Sequence, residues 1–206
     1  PKSRADVDKM TSSLSRIGEE DPTLKIEREQ STGETLLNGL GDTHLEVSIE
    51  RMKRKFGVEM TLSLPKVPYK ETITANSKAE YRHKKQSGGH GQFGHVWLEI
   101  QPLERGSGFE FDEKVVGGSV PREYIPSVEK GCRQAISDGV LAGYPIVDLK
   151  ATLVDGKYHP VDSSGVSFEI AGSHALLDGI KQANPTLLEP IMIARITVPE
   201  SDTGDI

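Results

Sequence analysis

The sequence predicts an α+β fold in two parts, and three observations support this. Apolar residues recur at helical spacing in two early segments, and short β-patterned runs lie between those segments. Beyond a linker marked by Pro65 and Pro68 the pattern becomes β-rich. With 206 residues, 35% of them hydrophobic, the chain is long enough to bury two cores.

The first part reads as helix, strand, strand, helix, strand. The first helical stripe stops at Asp21, and the strand-like runs LKIERE and ETLLNGL follow. Asp42 is predicted to cap the second helix, and Gly57 is predicted to end it. The run VEMTLSL is the predicted last strand. A further strand placed before residue 1 would complete the split βαβ pattern of a ferredoxin-like domain.

The second part is predicted to hold several strands and two helices. Its early strands cover residues 69–75, 78–86, 94–103 and 109–115. The helices cover about 121–138 and 165–183. Between them IVDLKATLV alternates apolar and polar residues and then reaches Asp155-Gly156, a strong hairpin signal. A last strand is predicted to lead out through Glu189 and Pro190.

Composition limits the class of protein. The net charge is −6, so any nucleic-acid contact must come from a local basic patch. Cys132 is the single cysteine, which excludes an intrachain disulfide and fits a reducing, cytoplasmic compartment. No apolar run approaches the roughly 18 residues of a membrane span, and no signal peptide opens the chain. Because the chain begins at Pro1 without a methionine, we expect a piece of a larger protein.

The stretch GHGQFGHV, residues 89–96, matches the glycine-rich loop of protein kinases. The other kinase motifs are absent from the sequence, and so is a Walker loop. A dinucleotide loop needs a helix after its glycines, whereas HVWLEI is β-patterned. We therefore predict a hairpin tip. A stand-alone phosphate-binding module on this loop remains an alternative, which micromolar binding of ATP or GTP by the chain would support.

The residues before the glycines are basic, which favours RNA as a partner. Arg82, Lys84 and Lys85 precede the tip, and His90 and His95 add inducible charge. Glycine amides can approach a phosphate closely. Gln92 can bond base edges or 2′-hydroxyls, and Phe93 can stack on a base. The alternative is a solvated hairpin whose lysines keep the strand edge soluble, with Phe93 and Trp97 in the core.

Two other clusters carry weaker signals. His159, Asp162, Ser163 and Ser164 in YHPVDSSG suggest a hydrolase, but triad residues so close together on one loop rarely reach triad geometry. The histidines 83, 90 and 95 have no cysteine or carboxylate at ligand spacing. We therefore predict no catalytic residue and no metal site in this chain.

Longer motifs carry a resemblance to a known family. QSGGHGQFGHV, GGSVPREYIPSVEKG, AGYPIVDLKATLVDGKYHPVDSS and LLEPIM resemble, in order, motifs of the fourth domain of bacterial elongation factor G. GLGDTHLEVSIERMKRKFGVE resembles a motif and helix of its third domain, and PIMIARITVPESDTGDI resembles the first strand of its fifth. The resemblance implies domains at residues 1–64, 65–187 and 188–206.

The resemblance implies a ribosome-dependent translocase. Its fold would be a ferredoxin-like split βαβ domain lacking the first strand, then a β-rich domain with a left-handed βαβ crossover, as in some ribosomal proteins. GTP and magnesium would bind a separate N-terminal GTPase domain, so this chain would be no enzyme and hold no cofactor. The fourth domain would enter the ribosomal A site, in the decoding region, contact small-subunit rRNA, tRNA and mRNA, and move tRNA and mRNA by one codon. The protein would be cytoplasmic and monomeric, without a membrane partner.

The resemblance also implies which residues contact RNA. The tip loops would lie side by side, with Arg82, Lys84 and Lys85 as a basic stem along the RNA phosphates. His159 would be a binding group without an acid–base role. The tip residues are Ser87, Gly88, Gly89, His90, Gly91, Gln92, Phe93, His159 and Asp162.

One residue departs from the family pattern. Translocation factors commonly carry arginine where this chain has His90, and a neutral imidazole weakens a phosphate contact. This departure leaves open a paralogue of elongation factor G that acts in ribosome recycling, rescue or protection.

Overall fold

The computed structural model describes residues 7–29, 32–86, 91–193, 197 and 204. The chain divides into two compact units, Pro1–Pro68 and Tyr69–Ile206. Each unit combines helices with small sheets, so the predicted α+β class is confirmed. Within the described ranges, no helix has the length and apolar content needed to cross a membrane.

Unit 1 packs two amphipathic helices with a β-hairpin. Its elements are α1 (Val7–Glu20), β1 (Lys25–Arg28), β2 (Thr35–Asn38) and α2 (Asp42–Phe56). Strands β1 and β2 are antiparallel, and Gly33 in the turn has a φ of +67° that suits glycine. The core is formed by apolar residues of both helices and of the segment after α1: Leu14, Ile17, Leu24 and Met52.

The sequence predicted the C-terminal cap of α2 correctly but not the N-terminal cap. Gly57 adopts the left-handed conformation and its N–H donates to Lys53 O at 3.0 Å, so the predicted C-cap is confirmed. The prediction for Asp42 is wrong, because Gly41 occupies the N-cap and Asp42 is the first helical residue. The Asp42 carboxylate still lies in the first turn, where the helix dipole favours negative charge.

Residues 58–64, the predicted last strand of unit 1, form no β-ladder in the described part of the chain. Val58 is nevertheless buried, and Met60 packs against the helical core. In a ferredoxin-like sheet this strand pairs with the first strand, which the sequence analysis placed before residue 1. The described residues therefore offer its backbone no partner, while the order helix, strand, strand, helix is consistent with the ferredoxin-like pattern.

Unit 2 is a layer of two helices on a mixed sheet. A 3-10 turn at Arg122–Tyr124 leads into the first of these helices. The described elements are β3 (Lys70–Ile73), β4 (Ser77–Lys85), β5 (Gln92–Pro102), β6 (Phe109–Glu113), α3 (Ile125–Ala135), β7 (Leu149–Lys157), α4 (Gly165–Gln182) and β8 (Pro185–Leu188).

The main sheet of unit 2 has the described strand order β4-β5-β7-β6. The pairs β4–β5 and β5–β7 are antiparallel, whereas β6 and β7 are parallel and connected through α3. This connection is a βαβ crossover, and its left hand stays a prediction. The inner face of the sheet packs against α3 and α4 through Val96, Leu98, Val128, Leu153 and Phe168. Strand β3 pairs antiparallel with β8 in a separate small sheet.

The hairpin predicted at Asp155-Gly156 is wrong, because both residues lie inside β7. Trp97 pairs with Asp155 but Leu98 pairs with Leu153, so the strand carries an extra residue in a β-bulge. A Cβ on Gly156 would lie 2.1 Å from Val120 Cγ2. Glycine is therefore required here for close packing rather than for a turn.

Glu71 on β3 is a fully buried carboxylate that organises the loop between α3 and β7. Its oxygens accept hydrogen bonds from backbone N–H groups of that loop: Val140 at 2.6 Å, Leu141 at 3.0 Å, Ala142 at 2.8 Å and Tyr144 at 3.2 Å. Burial by itself raises the pKa of Glu71, but these hydrogen bonds outweigh it and hold the pKa below its usual range.

We expect Glu71→Gln to lower the free energy of unfolding by about 3 kcal/mol, because the amide presents a donor to buried N–H groups. Urea unfolding measures this, and Glu129→Gln on the exposed face of α3 is the matched control. Since the folded-state pKa of Glu71 is depressed, its stabilisation is complete above the unfolded pKa of about 4.3 and is lost as pH falls through the folded value. A difference between wild type and variant that persists unchanged in acid would contradict this role.

Candidate nucleic-acid interface

Two loops meet at one end of unit 2: the tip of the β4–β5 hairpin and the loop from β7 to α4. Gly91 N–H donates to Asp162 Oδ1 at 3.0 Å, and Phe93 N–H donates to Asp162 O at 2.8 Å. The Ser163 hydroxyl donates to Phe93 O at 2.9 Å. The loops therefore lie side by side, joined by both backbone and side-chain bonds. Ser87, Gly88, Gly89 and His90 lie outside the described residues.

The glycines of the motif GHGQFGHV differ in what they do. A Cβ on Gly91 would lie 3.0 Å from the Asp162 carboxyl carbon, so this glycine permits contact between the loops. A Cβ on Gly94 would lie 2.8 Å from Ser167 O, so this glycine permits the packing of α4 on the sheet. The motif leads into strand β5, with no helix start directed at a bound phosphate.

His159 is held by its own loop in a defined orientation. The backbone N–H of His159 donates to Ser163 Oγ at 2.8 Å. The ring Nδ1 accepts from the backbone N–H groups of Val161 and Asp162 at 3.3 and 3.2 Å. In the neutral ring, an Nδ1 that accepts these bonds leaves the proton on Nε2. Asp162 Oδ2 lies 3.3 Å from the same Nδ1. The side chain is 52% exposed, so Nε2–H is available to a partner.

The hydroxyl groups of this loop serve structure. Ser163 Oγ joins the two loops, and Ser164 caps α4 by accepting from Ser167 N–H at 3.3 Å. In the described hydrogen bonds the His159 ring reaches neither hydroxyl. The arrangement lacks the nucleophile–base contact of a triad. The sequence indicated Ser163 only as part of a hydrolase hypothesis, so its role between the loops was not predicted.

The basic stem adjoins Phe93 and the loop that carries His159 and Asp162. The Arg82 guanidinium lies over the Phe93 ring, with 5.6 Å from Cζ to the ring centroid. Lys84 and Lys85 are exposed, and no carboxylate of the described residues lies within salt-bridge distance of either. Stem and tip together line a shallow pocket of about 200 Å³, formed by Arg82, Lys84, Lys85, Gln86, Gln92, Phe93, His159 and Asp162.

Two histidines beside the stem affect which donors and charges it presents. His83 Nε2 lies 3.0 Å from Gln92 Oε1, which leaves the Gln92 amide NH₂ as a donor for a partner. His95 does not add the inducible charge that the sequence suggested. Burial lowers its pKa, and the hydrogen bond to Glu80 only partly offsets this.

The expected absence of a metal or GTP site in this chain stays a prediction. The parts of the chain that the structure describes contain no group of three or more histidine, cysteine, aspartate or glutamate side chains arranged for a metal ion. The sequence contains no Walker loop that would hold GTP and magnesium.

Comparison with known proteins defines the class of protein as a translation elongation factor. Residues 1–64 match the family model described as elongation factor G, domain III, and residues 65–184 match the model described as elongation factor G, domain IV. The chain belongs to the elongation factor G family.

Two relatives agree with this assignment. The chain is 52% identical over its whole length to a Thermotoga maritima protein called elongation factor G-like protein, of which it covers 30%. It also matches a crystal structure of a protein from Thermus thermophilus, with 43% identity and a TM-score of 0.79. That match covers 91% of this chain and 28% of the other. The chain thus spans less than a third of the length of each relative.

The contact between the loops gives a local prediction. Asp162→Ala removes the acceptor of Gly91 N–H, so amide exchange at Gly91 should accelerate about fivefold, as expected for the loss of about 1 kcal/mol. Phe93 N–H should stay protected because it bonds the backbone carbonyl. Hydrogen exchange followed by NMR measures both, and Asp162→Asn, which keeps an Oδ1 acceptor, is the control. Equal exchange at Gly91 in all three proteins would contradict the contact.

Proposed function

We propose that this chain is the RNA-contacting part of a ribosome-dependent GTPase that catalyses translocation in protein synthesis. Unit 2 enters the ribosomal A site, in the decoding region, and contacts small-subunit rRNA, tRNA and mRNA as tRNA and mRNA advance by one codon. The observation that carries this proposal is the pair of joined loops beside the exposed basic stem, in a chain of the elongation factor G family.

The geometry suggests a division of roles at the tip. Lys84 and Lys85 meet phosphates, while Gln92 NH₂ and His159 Nε2–H donate to RNA oxygens. Asp162 and Ser163 fix the loops before the RNA arrives, so less conformational entropy is lost on binding. None of these roles is acid–base chemistry.

The rest of the proposal concerns the longer protein. GTP and magnesium bind an N-terminal domain outside this chain, and residues 188–206 begin a fifth domain. The protein acts as a cytoplasmic monomer. These statements rest on family membership and on the share of each relative that the chain covers.

A second candidate is a paralogue that acts in ribosome recycling, rescue or protection. His90 at a position where translocation factors commonly carry arginine favours it, as does the name elongation factor G-like protein of the Thermotoga maritima relative. A toeprint assay with the full-length protein, GTP and pre-translocation ribosomes separates the two. Movement of mRNA by one codon supports the translocase, whereas GTP hydrolysis without movement supports the paralogue.

Substituting His159→Ala in the full-length protein should slow translocation about tenfold and leave ribosome-stimulated GTP hydrolysis nearly unchanged. The reason is the loss of one exposed donor at the tip, worth about 1.4 kcal/mol in the transition state. Stopped-flow translocation and phosphate release measure the two activities. Val161→Ala on the same loop is the control. An equal loss of both activities would refute the separation of roles.

Replacing Lys84 and Lys85 together by alanine should weaken ribosome association and flatten its salt dependence. With two phosphate contacts fewer, binding releases fewer counterions. The slope of the logarithm of the association constant against the logarithm of the salt concentration should therefore become shallower by about 1.5. Ribosome binding measured at several salt concentrations tests this, with Lys181→Ala on α4 as the control. An unchanged slope would contradict the phosphate contacts and would support the alternative that the two lysines keep a strand edge soluble.

A further inference from the structure

We propose that the outer face of the main sheet of unit 2 is a second RNA-binding surface, on which unpaired bases stack along strand β5. The surface is built on Phe93, His95 and Trp97, which we call the ring row. Side chains alternate along a strand, so these three share the face opposite to the buried Gly94 and Val96. The helices α3 and α4 pack on that opposite face.

The rings follow one another along β5, beginning with Phe93 beside His159. Phe93 lies 6.4 Å from the His159 ring, and the centroids of His95 and Trp97 are 3.8 Å apart at an interplanar angle of 32°. All three side chains of the row are partly exposed. Large rings at partly exposed sheet positions are the recurrent platform for stacking single-stranded nucleic acid.

Cations flank Phe93 and His95 at matching register, whereas Glu80 and Asp155 pair with Trp97. Arg82 on β4 and Lys157 on β7 both pair with His95, one from each side, and Lys84 pairs with Phe93. Arg82 lies over the Phe93 ring, and Lys157 Nζ lies 5.7 Å from the centroid of Trp97.

Arg82 and Lys157 contact rings, and among the described residues neither they nor Lys84 contact acids. No salt bridge among the described residues involves Arg82, Lys84 or Lys157. A base that stacks on Trp97 can take the place of the exposed Lys157 chain, whose ammonium then meets a phosphate. No ion pair has to break for this exchange.

The acidic groups near the row are already engaged. Glu80 lies 3.2 Å from His95 Nε2, and Asp155 accepts Gly156 N–H at 2.7 Å.

The surface has a defined end. Beyond Trp97 the outer face carries paired charges, with Lys78 bonded to Glu99 at 2.6 Å and Lys150 bonded to Asp112 at 3.1 Å. Arg82, Lys84 and Lys157, which are in no ion pair among the described residues, lie beside the rings between Phe93 and Trp97. Because a ring can stack only on a base whose face is open, the ligand class is single-stranded RNA rather than a duplex.

The chain contains one tryptophan, so its intrinsic fluorescence reports on Trp97 alone. We expect a fluorescein-labelled, unstructured 12-nucleotide RNA to bind this chain at low salt, with saturable quenching of tryptophan emission at the same concentrations that raise RNA anisotropy. An RNA duplex of equal length should quench weakly. Binding seen by anisotropy without quenching, or no binding at low salt, would overturn the proposal.

Variants test the residues. Trp97→Leu should weaken binding about tenfold, as expected for one lost stacking contact, whereas Trp97→Phe should keep most of the affinity. Lys157→Gln should make the salt slope shallower by about 0.7. Lys181→Gln, on a helix at the other face, should behave as wild type. Wild-type affinity in Trp97→Leu, or equal slopes for Lys157→Gln and Lys181→Gln, would overturn the assignment. Lys157 is exposed, so its variant remains informative if Trp97→Leu fails to fold.

The choice of RNA as the ligand rests on the proposed function, whereas the stacking surface itself does not. If the toeprint shows no movement of mRNA but RNA still quenches tryptophan emission, the translocase proposal is wrong and the ring row is supported. If Trp97→Leu translocates normally and RNA does not quench the emission of the wild-type chain, the ring row is wrong and the translocase proposal is supported.

Discussion

The buried Glu71 carboxylate is the interaction on which unit 2 depends. A charge in a protein interior is costly unless its acceptor positions are filled, and the loop between α3 and β7 fills them with its own amides. Glu71 thereby fixes the point where β7 begins. That strand runs to the other end of the sheet and delivers the loop with His159 beside the β4–β5 hairpin. A carboxylate at the base of the sheet thus bears on the geometry of the tip.

At the tip, the groups that hold the structure are distinct from those that face outward. Asp162 and Ser163 are occupied by bonds to the neighbouring loop. Lys84, Lys85 and His159 remain exposed. This separation lets the tip keep its shape while its donors and cations stay available. It also explains how a chain with a net charge of −6 can present a local basic surface, since no carboxylate of the described residues forms an ion pair with Lys84 or Lys85.

The two proposed RNA surfaces share Phe93, which lies where the tip ends and the ring row begins. A strand of RNA held at the tip by its phosphates would have neighbouring bases within reach of the sheet. The tip works through hydrogen bonds and charge, the sheet through stacking. Their contributions are therefore separable by salt dependence on one side and by fluorescence on the other.

Local chemistry let the sequence determine the order of most elements, the left-handed Gly57 cap and the family motifs, because periodicity and cap residues act within a few positions. It could not determine what depends on a distant partner. Asp155-Gly156 has the composition of a turn, yet Val120 and the opposing strand make it part of a bulged strand. Residues 58–64 have strand composition, but a strand forms only where another backbone pairs with it. The sequence around Glu71 did not indicate a buried carboxylate, because the backbone N–H groups that bond it lie about 70 residues further along the chain. Only the tertiary structure decided which glycines serve packing, which carboxylate is buried, and which rings share a face with the basic stem.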